Sequence, residues 1–259
     1  MKKVVAFDLD GTLAPSKSSI SAQMDKALSA LLDRTTVCVI SGGRFEQFQS
    51  QLLDNFSATP DEYENLHLMP TSGTHYLRYK NDEWQTRYIE TIPESDRRQI
   101  IRALNAAIEE FGYDELETYG EQIEDRRSQV TLSIFGQEIA QKLGQEGIDI
   151  KETWDPNHSK RRQMIDFMGQ QLPENVEPMI GGSSSIDVVM RGVDKSYGMK
   201  KLIEELNITK QDVLFFGDAL QPGGNDYPVK EFGIESVAVK SPAETLEAII
   251  KILAKDNSD

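Results

Sequence analysis

The chain has 259 residues, 43 acidic against 28 basic, and a formal charge of −15. That length is enough for one large core or two modest domains. The acidic balance argues against nucleic acid and against an anionic membrane as main partners, though a locally positive site could still take an anionic substrate. One cysteine, Cys38, precludes an internal disulfide framework and fits a reducing cytoplasm; it sits in an apolar run and reads as core. No apolar stretch is long enough for a signal peptide or a membrane span. In chain order, residues 2–10 read as a strand, 21–33 as a helix, 36–41 as a strand, 44–54 as a helix and 66–71 as a strand. Residues 84–92 are strand-like, and 94–111 are helical, with Ile100, Ile101, Leu104, Ala107, Ile108 and Phe111 on one face. Val130, Leu132 and Ile134 alternate with Gln129, Thr131 and Ser133, as in a half-buried antiparallel strand over 128–135. Helices follow at 137–143 and 158–168, then strands at 176–180 and 185–190 and a helix at 196–206. The chain closes with strands at 212–217 and 236–240 and a helix at 242–254, which Ser241 as N-cap, Pro242 and Glu244 announce. Residues 255–259 form a polar tail.

Strands alternating with helices predict a parallel sheet covered on both faces, an α/β core of Rossmann type over 1–81 and 184–259. The segment 82–183 behaves differently and reads as an α+β insert, with Gly181-Gly182-Ser183-Ser184 as the hinge by which the chain returns.

The chemistry concentrates where apolar strands end. Val4-Val5-Ala6-Phe7 runs into Asp8-Leu9-Asp10-Gly11-Thr12. The carboxyl end of a parallel strand is where open α/β sheets bind ligands, and alternation turns Leu9 away while Asp8 and Asp10 face one point. Two such carboxylates repel unless a cation lies between them, and a hard divalent ion, Mg²⁺ above all, suits oxygen ligands. Asp8 is then a candidate nucleophile and Asp10 a candidate acid/base. An Asp-Gly turn is the alternative on those five residues alone. Val37 to Ile40 ends in Ser41-Gly42-Gly43-Arg44, and Val213 to Phe216 ends in Gly217-Asp218, with Pro222-Gly223-Gly224-Asn225-Asp226 beyond. Lys195 opens an amphipathic helix. A hydroxyl, a lysine and several acids are what phosphoryl transfer needs, since positioning and electrostatics carry it. Arg44 either meets the substrate or covers the helix that follows. His67, His75 and His158 have no ligand-like spacing and read as structural.

The order Asp-x-Asp-Gly-Thr, Ser, Lys, Gly-Asp and Asn-Asp resembles the haloacid dehalogenase superfamily of phosphohydrolases and phosphomutases. The resemblance runs from residue 4 to about 253. It implies that Asp8 attacks phosphorus, that Asp10 protonates the leaving group and then activates water, and that Ser41 and Lys195 bind phosphoryl oxygens, with Gly42 and Gly43 beside them. It implies a Mg²⁺ held by Asp8, the Asp10 carbonyl and Asp218, supported by Asn225 or Asp226. The insert matches the superfamily's type-IIB cap, which closes over the site and selects the leaving group.

Within the superfamily, the long Pro-Gly-Gly-Asn-Asp spacing and Ser185-Ile186-Asp187-Val188 resemble eukaryotic-type phosphomannomutases, which implies Ser185 and Asp187 as sugar-phosphate contacts and a homodimer formed through the cap. The family's cap segment ends in an arginine where this chain has Gln137, and its next arginine falls near Gly144. Those arginines bind the distal phosphate of a bisphosphate that must turn around. Losing two removes two charge-assisted contacts of roughly 1.5–3 kcal/mol each. Arg126 or Arg127 could keep one; Lys160, Arg161 and Arg162 could compensate, but they read rather as a solvated helix face. The expectation is a phosphatase of a small phosphoester, with the mutase as alternative. A non-catalytic binding protein would have lost Asp8 or Asp10, and a dehalogenase needs no Mg²⁺ site.

Overall fold

The structure, a computed structural model, describes residues 2–255; of the polar tail expected at 255–259, residue 255 ends the last helix and 256–259 lie outside the described residues. Contacts divide the chain into two units, one running to Ile89 and resuming at Asp194, the other spanning Glu90–Val193.

The first unit opens with β1 (Val4–Phe7), α1 (Ala22–Leu32), β2 (Thr36–Ile40), α2 (Phe45–Gln51), α3 (Pro60–Tyr63), β3 (Leu66–Met69), β4 (His75–Lys80) and β5 (Glu83–Ile89). The second unit supplies α4 (Glu94–Glu110), β6 (Ile123–Asp125), β7 (Gln129–Ser133), α5 (Ile139–Leu143), α6 (Gln145–Trp154), α7 (Ser159–Met168), β8 (Val176–Gly181) and β9 (Ser185–Met190). The first unit resumes with α8 (Lys195–Leu206), β10 (Val213–Gly217), α9 (Tyr227–Glu231), β11 (Glu235–Ala238) and α10 (Pro242–Lys255).

Seven strands of the first unit form one sheet in the order β11-β10-β1-β2-β3-β4-β5. The first five are parallel, and β4 and β5 add an antiparallel edge. Every residue of β1 is buried, because helices cover both faces and period-two alternation sends neighbouring side chains into different layers. Val5 and Phe7 join Met24 and Leu28 of α1, Phe48 of α2 and Ile249 of α10. Val4, Ala6 and Cys38 join Met199 and Leu202 of α8 and Val229 of α9. Phe7 and Phe216 stack across β1 and β10 with ring centres 5.2 Å apart. Helix starts follow their caps: the Ser21 hydroxyl accepts from Met24 N, and α10 begins at Pro242 as its sequence announces.

His67 is buried on β3, with Nδ1 2.5 Å from the Tyr76 hydroxyl. Burial, aided by the Arg78 charge, lowers its pKa to about 3. The unfolded imidazole takes a proton below about 6.5 and the folded one does not, so this contribution to stability is complete above that pH and is lost as pH falls. Urea midpoints are therefore expected to drop between about pH 7 and 5, and His67→Phe is expected to flatten that drop.

The second unit is a four-stranded antiparallel sheet, β6-β7-β9-β8. Its apolar core joins Ile100, Leu104 and Ala107 of α4 and Met164 and Met168 of α7 to Val130, Leu132, Ile186 and Val188 of the sheet. The Rossmann-type parallel core and the inserted α+β unit are thus both present, but the expected boundaries at 82 and 183 are displaced. Residues 84–89 pair with β4 and extend the first unit's sheet. Residues 185–190 are not a core strand, because β9 pairs with β7 on one side and β8 on the other. Gly181 to Ser184 are correspondingly not a return hinge but the turn of the β8–β9 hairpin, with Gly181 opposite Ser185. Strand β7 is buried along its whole length rather than on one face. Among the described residues, no helix is long and apolar enough to cross a membrane.

Candidate active site

Parallel register builds the site. Phe7 lies opposite Phe216 on one side and Val39 on the other, so the segments leaving β1, β10 and β2 emerge together. The Asp8 amide donates to the Phe216 carbonyl at 2.9 Å, continuing the ladder one residue past the strand and fixing the carboxylate beside the end of β10. Leu9 is fully buried and turned away, as alternation requires. Gly11 then turns the chain with φ +79°, and a Cβ there would overlap the Asp218 carboxylate. This glycine is required by both its backbone and its neighbour.

Lys195 is the first residue of α8. The Asp194 carboxylate caps that helix, accepting from Ser196 N at 2.7 Å and Tyr197 N at 3.1 Å. The Lys195 side chain is 2% exposed and donates to Oδ1 of Asp8 and, at 2.5 Å, to Oδ1 of Asp226. Burial alone would lower its pKa, but the Asp226 and Asp8 carboxylates outweigh that and raise it, so the ammonium is fixed in its charged form. Asp226 is completely buried, and its other oxygen accepts from Ala219 N at 3.0 Å.

Carboxylate oxygens of Asp8, Asp218 and Asp226 lie within 4.8 Å of one another. Burial, reinforced by Asp226 and Asp218 and opposed by Lys195, raises the Asp8 pKa. Asp218 keeps solvent exposure, yet partial desolvation and the Asp226 charge raise its pKa to about 6. When all three ionise, three carboxylates, two of them buried, stand against one ammonium, an excess of two negative charges that a divalent cation would balance. The donor set is all oxygen, as Mg²⁺ requires. The residues therefore fit a hard divalent metal ion. Asp226 stands in the cluster itself, whereas Asn225 is half-buried in the preceding turn and is not one of the three.

Asp10 departs from the expectation of one convergent point. Its carboxylate is not in the cluster. It accepts from Lys17 N at 2.7 Å, from Gln47 Nε2 at 2.8 Å and from Gln51 Nε2 at 3.0 Å. A tight turn, in which Gly11 N donates to the Ala14 carbonyl at 2.7 Å, swings the residue away from the strand axis. Ser41 follows β2 and is buried. Its amide donates to Met69 O, its hydroxyl accepts from Gly43 N at 3.3 Å, and Thr71 N donates to Gly43 O at 2.9 Å, which ties the Ser41–Gly43 loop to the end of β3. Arg44 is exposed, sits at the N-cap of α2 and pairs with Glu46 at 3.5 Å.

The remaining candidates belong to the second unit, Ser185 and Asp187 included. Asp187 accepts from the Thr131 hydroxyl at 2.7 Å, which in turn accepts from Gln129 Nε2 at 2.8 Å. The Arg126 guanidinium is paired with Glu124 at 2.6 Å, and Arg127 holds a left-handed backbone with φ +67°. Arg161 is not on a solvated face: it is 1% exposed, pairs with buried Asp155 at 2.9 Å and donates to the carbonyls of Gly181 and Gly182 at 2.8 Å each. Lys160 lies over the Trp154 ring. Sequence reasoning placed Arg161 on a solvated face and did not single out Gln47 or Gln51. Only the four-residue spacing of the two glutamines, which places them on one helix face, hinted at a shared task.

A buried lysine among carboxylates at the carboxyl ends of a parallel sheet defines a doubly wound α/β enzyme site. A family profile described as haloacid dehalogenase-like hydrolase matches residues 5–259, and the chain belongs to that family. The chain is 24% identical over 256 residues to a phosphomannomutase of Encephalitozoon cuniculi, covering 98% of this chain and 94% of that protein. It is 29% identical over 245 residues to a phosphomannomutase of Oryza sativa subsp. indica, covering 93% and 92%. The fold is shared with the IMP-bound, N-terminally truncated IMP-nucleotidase of Plasmodium falciparum, with a TM-score of 0.68 at 16% identity over 96% of this chain and 68% of that one. The protein is thus a phosphoryl-transfer enzyme of the haloacid dehalogenase superfamily, with phosphomannomutases among its relatives.

Proposed function

We propose that the protein is a Mg²⁺-dependent hexose-phosphate mutase of the phosphomannomutase type, working through a phosphoryl group carried on Asp8. The observation that supports the reaction class most strongly is the buried Lys195 bridging Asp8 and Asp226 beside Asp218. The mutase is preferred to simple hydrolysis because phosphomannomutases match along nearly their full length and this chain's (94% and 98% for the E. cuniculi protein). Asp8 Oδ displaces the sugar oxygen from phosphorus: the Asp8 O–P bond forms, the P–O sugar bond breaks, and Asp10 gives that oxygen its proton. In the return step a hydroxyl of the bound sugar gives its proton to Asp10 and takes the phosphoryl group from Asp8. Lys195 holds Asp8 and neutralises the approaching anion, while Ser41 and the amides of Gly42 and Gly43 receive phosphoryl oxygens. Asp8, Asp218 and Asp226 would hold Mg²⁺, with the Asp10 carbonyl beside them, and the ion would supply charge neutralisation at the phosphoryl group. Ser185 and Asp187 are assigned to the sugar, and Arg127 to its second phosphate.

One observation favours hydrolysis instead. Gln137 and Gly144 stand where the resembling mutases carry arginines, and the Arg126 charge is already matched by Glu124. A second phosphate would then be poorly held and water would take the phosphoryl group. Phosphorus NMR with Mg²⁺ and mannose 1-phosphate, with and without catalytic hexose 1,6-bisphosphate, separates the two. The mutase is expected to form mannose 6-phosphate only when bisphosphate is added. Steady release of inorganic phosphate, independent of bisphosphate, would replace it with the phosphatase.

A further inference from the structure

In the proposed reaction Asp10 carries a proton, and three contacts restrict which of its oxygens can do so. Each carboxylate oxygen offers two in-plane lone pairs. Oδ1 accepts from Lys17 N at 2.7 Å and from Gln51 Nε2 at 3.0 Å, so both of its positions are taken. Oδ2 accepts only from Gln47 Nε2, at 2.8 Å, among the described residues. We infer that Gln47 and Gln51 are positioning residues for Asp10, locking its carboxylate so that Oδ2 is the oxygen that gives and receives the proton. The inference rests on Asp10 being the proton carrier of the proposed reaction.

The two amides are themselves fixed. Gln51 Nε2 also donates to the Ser18 carbonyl at 2.9 Å. Both partners are acceptors, so the amide must present its NH₂ to them, and a flipped orientation would face oxygen with oxygen. The cost is visible on the other side: Gln51 is 2% exposed and its Oε1 has no hydrogen-bond partner. A buried orphan acceptor destabilises a fold. A residue selected only for packing here would be apolar, and the surrounding cluster of Ile20, Phe48, Leu52 and Leu53 would accept one. Gln47 lies one turn earlier on α2 and presses its Oε1 against Gly43, where any Cβ would overlap it. Gly43 therefore has a second duty besides its place in the phosphoryl loop. Without a side chain it lets the Gln47 amide lie between that loop and Asp10, and so ties the proton carrier to the group that receives phosphoryl oxygens.

The role separates from a structural one by leaving-group dependence. With enzyme in excess and Mg²⁺ present, release of nitrophenolate from 4-nitrophenyl phosphate reports transfer to Asp8 with a leaving oxygen that needs no proton. Consumption of hexose 1,6-bisphosphate reports the same transfer with a sugar oxygen that does. Gln47→Leu and Gln51→Leu are expected to slow the bisphosphate reaction by roughly 10- to 100-fold, the loss that follows when a proton donor is misplaced, and nitrophenolate release by less than about threefold. Gln51→Leu is expected to melt near the wild-type temperature, because the orphan acceptor leaves with the amide while the Ser18 carbonyl and Asp10 lose a donor. Equal slowing on both substrates, or none on either, overturns the inference while the wild-type rates stand. If Gln51→Leu melts early, Gln51→Met goes through the same assay; early melting of both overturns it as well, since that is how a purely structural amide behaves. A wild-type protein that transfers phosphate from neither compound overturns the reading of Asp8 and Asp10, and this inference with it.

Discussion

Asp8→Asn is expected to lower phosphoryl transfer by about 10⁴-fold or more while the protein stays folded. The amide fills the volume of the carboxylate but is no nucleophile, so no bond to phosphorus forms. The fold should tolerate the change, because Asp8 is a desolvated carboxylate whose pKa burial raises, in a cluster with surplus negative charge. Lys195 keeps its bond to Asp226 in the variant. Steady-state rates beside a thermal melt check both halves. Turnover within tenfold of wild type would remove Asp8 from the chemistry, since nothing else on the strand end could replace its oxygen without moving backbone.

Lys195→Met is expected to cost both activity and stability. The side chain is buried with the two carboxylates it neutralises, and methionine would leave both without a counter-ion. Breaking a buried pair by removing one partner costs about 3–5 kcal/mol, far more than the net value of an exposed pair. The urea midpoint should fall accordingly. The double variant Lys195→Met/Asp226→Asn should recover part of the loss, because it removes one stranded charge and the two sites share an interaction. If instead the two single effects simply add, the bridge carries no energy and Lys195 acts only on substrate. The contrast with Asp8→Asn matters: one variant is expected to lose chemistry alone, the other chemistry and fold together.

Much of the first unit could be read from the chain because its central strands, β1, β2, β3 and β10, are buried on both faces and are almost wholly apolar. Asp8 was legible as a carboxylate at the end of one such strand, and Lys195 as a cation at a helix start; that Asp194 caps this helix came from the structure. The contacts of Asp10 and Asp226 were not, although the sequence singles out both as acids of the site. Their neighbours are set by a turn at Gly11 and by register between β1 and β10, which no local pattern records. The boundaries at 82 and 183 missed for a similar reason. Whether 84–89 and 185–190 join one sheet or the other depends on their pairing partners, β4 for the first and β7 with β8 for the second, not on composition. Arg161 read as solvated because Lys160-Arg161-Arg162 is a charged run. Its helix turns one of the three inward, onto Asp155 and the β8–β9 turn, and only packing reveals which.

A phosphoryl group carried on Asp8 can be trapped chemically. The protein with Mg²⁺ is mixed with hexose 1,6-bisphosphate, quenched and reduced with borohydride, which converts an aspartyl phosphate to homoserine, and the peptides are read by mass spectrometry. Homoserine at position 8 and at no other carboxylate is the result expected, with none when Asp8→Asn is treated alike. Homoserine at Asp10, Asp218 or Asp226, or none at all in a protein that turns its substrate over, would rule out Asp8 as the phosphoryl carrier.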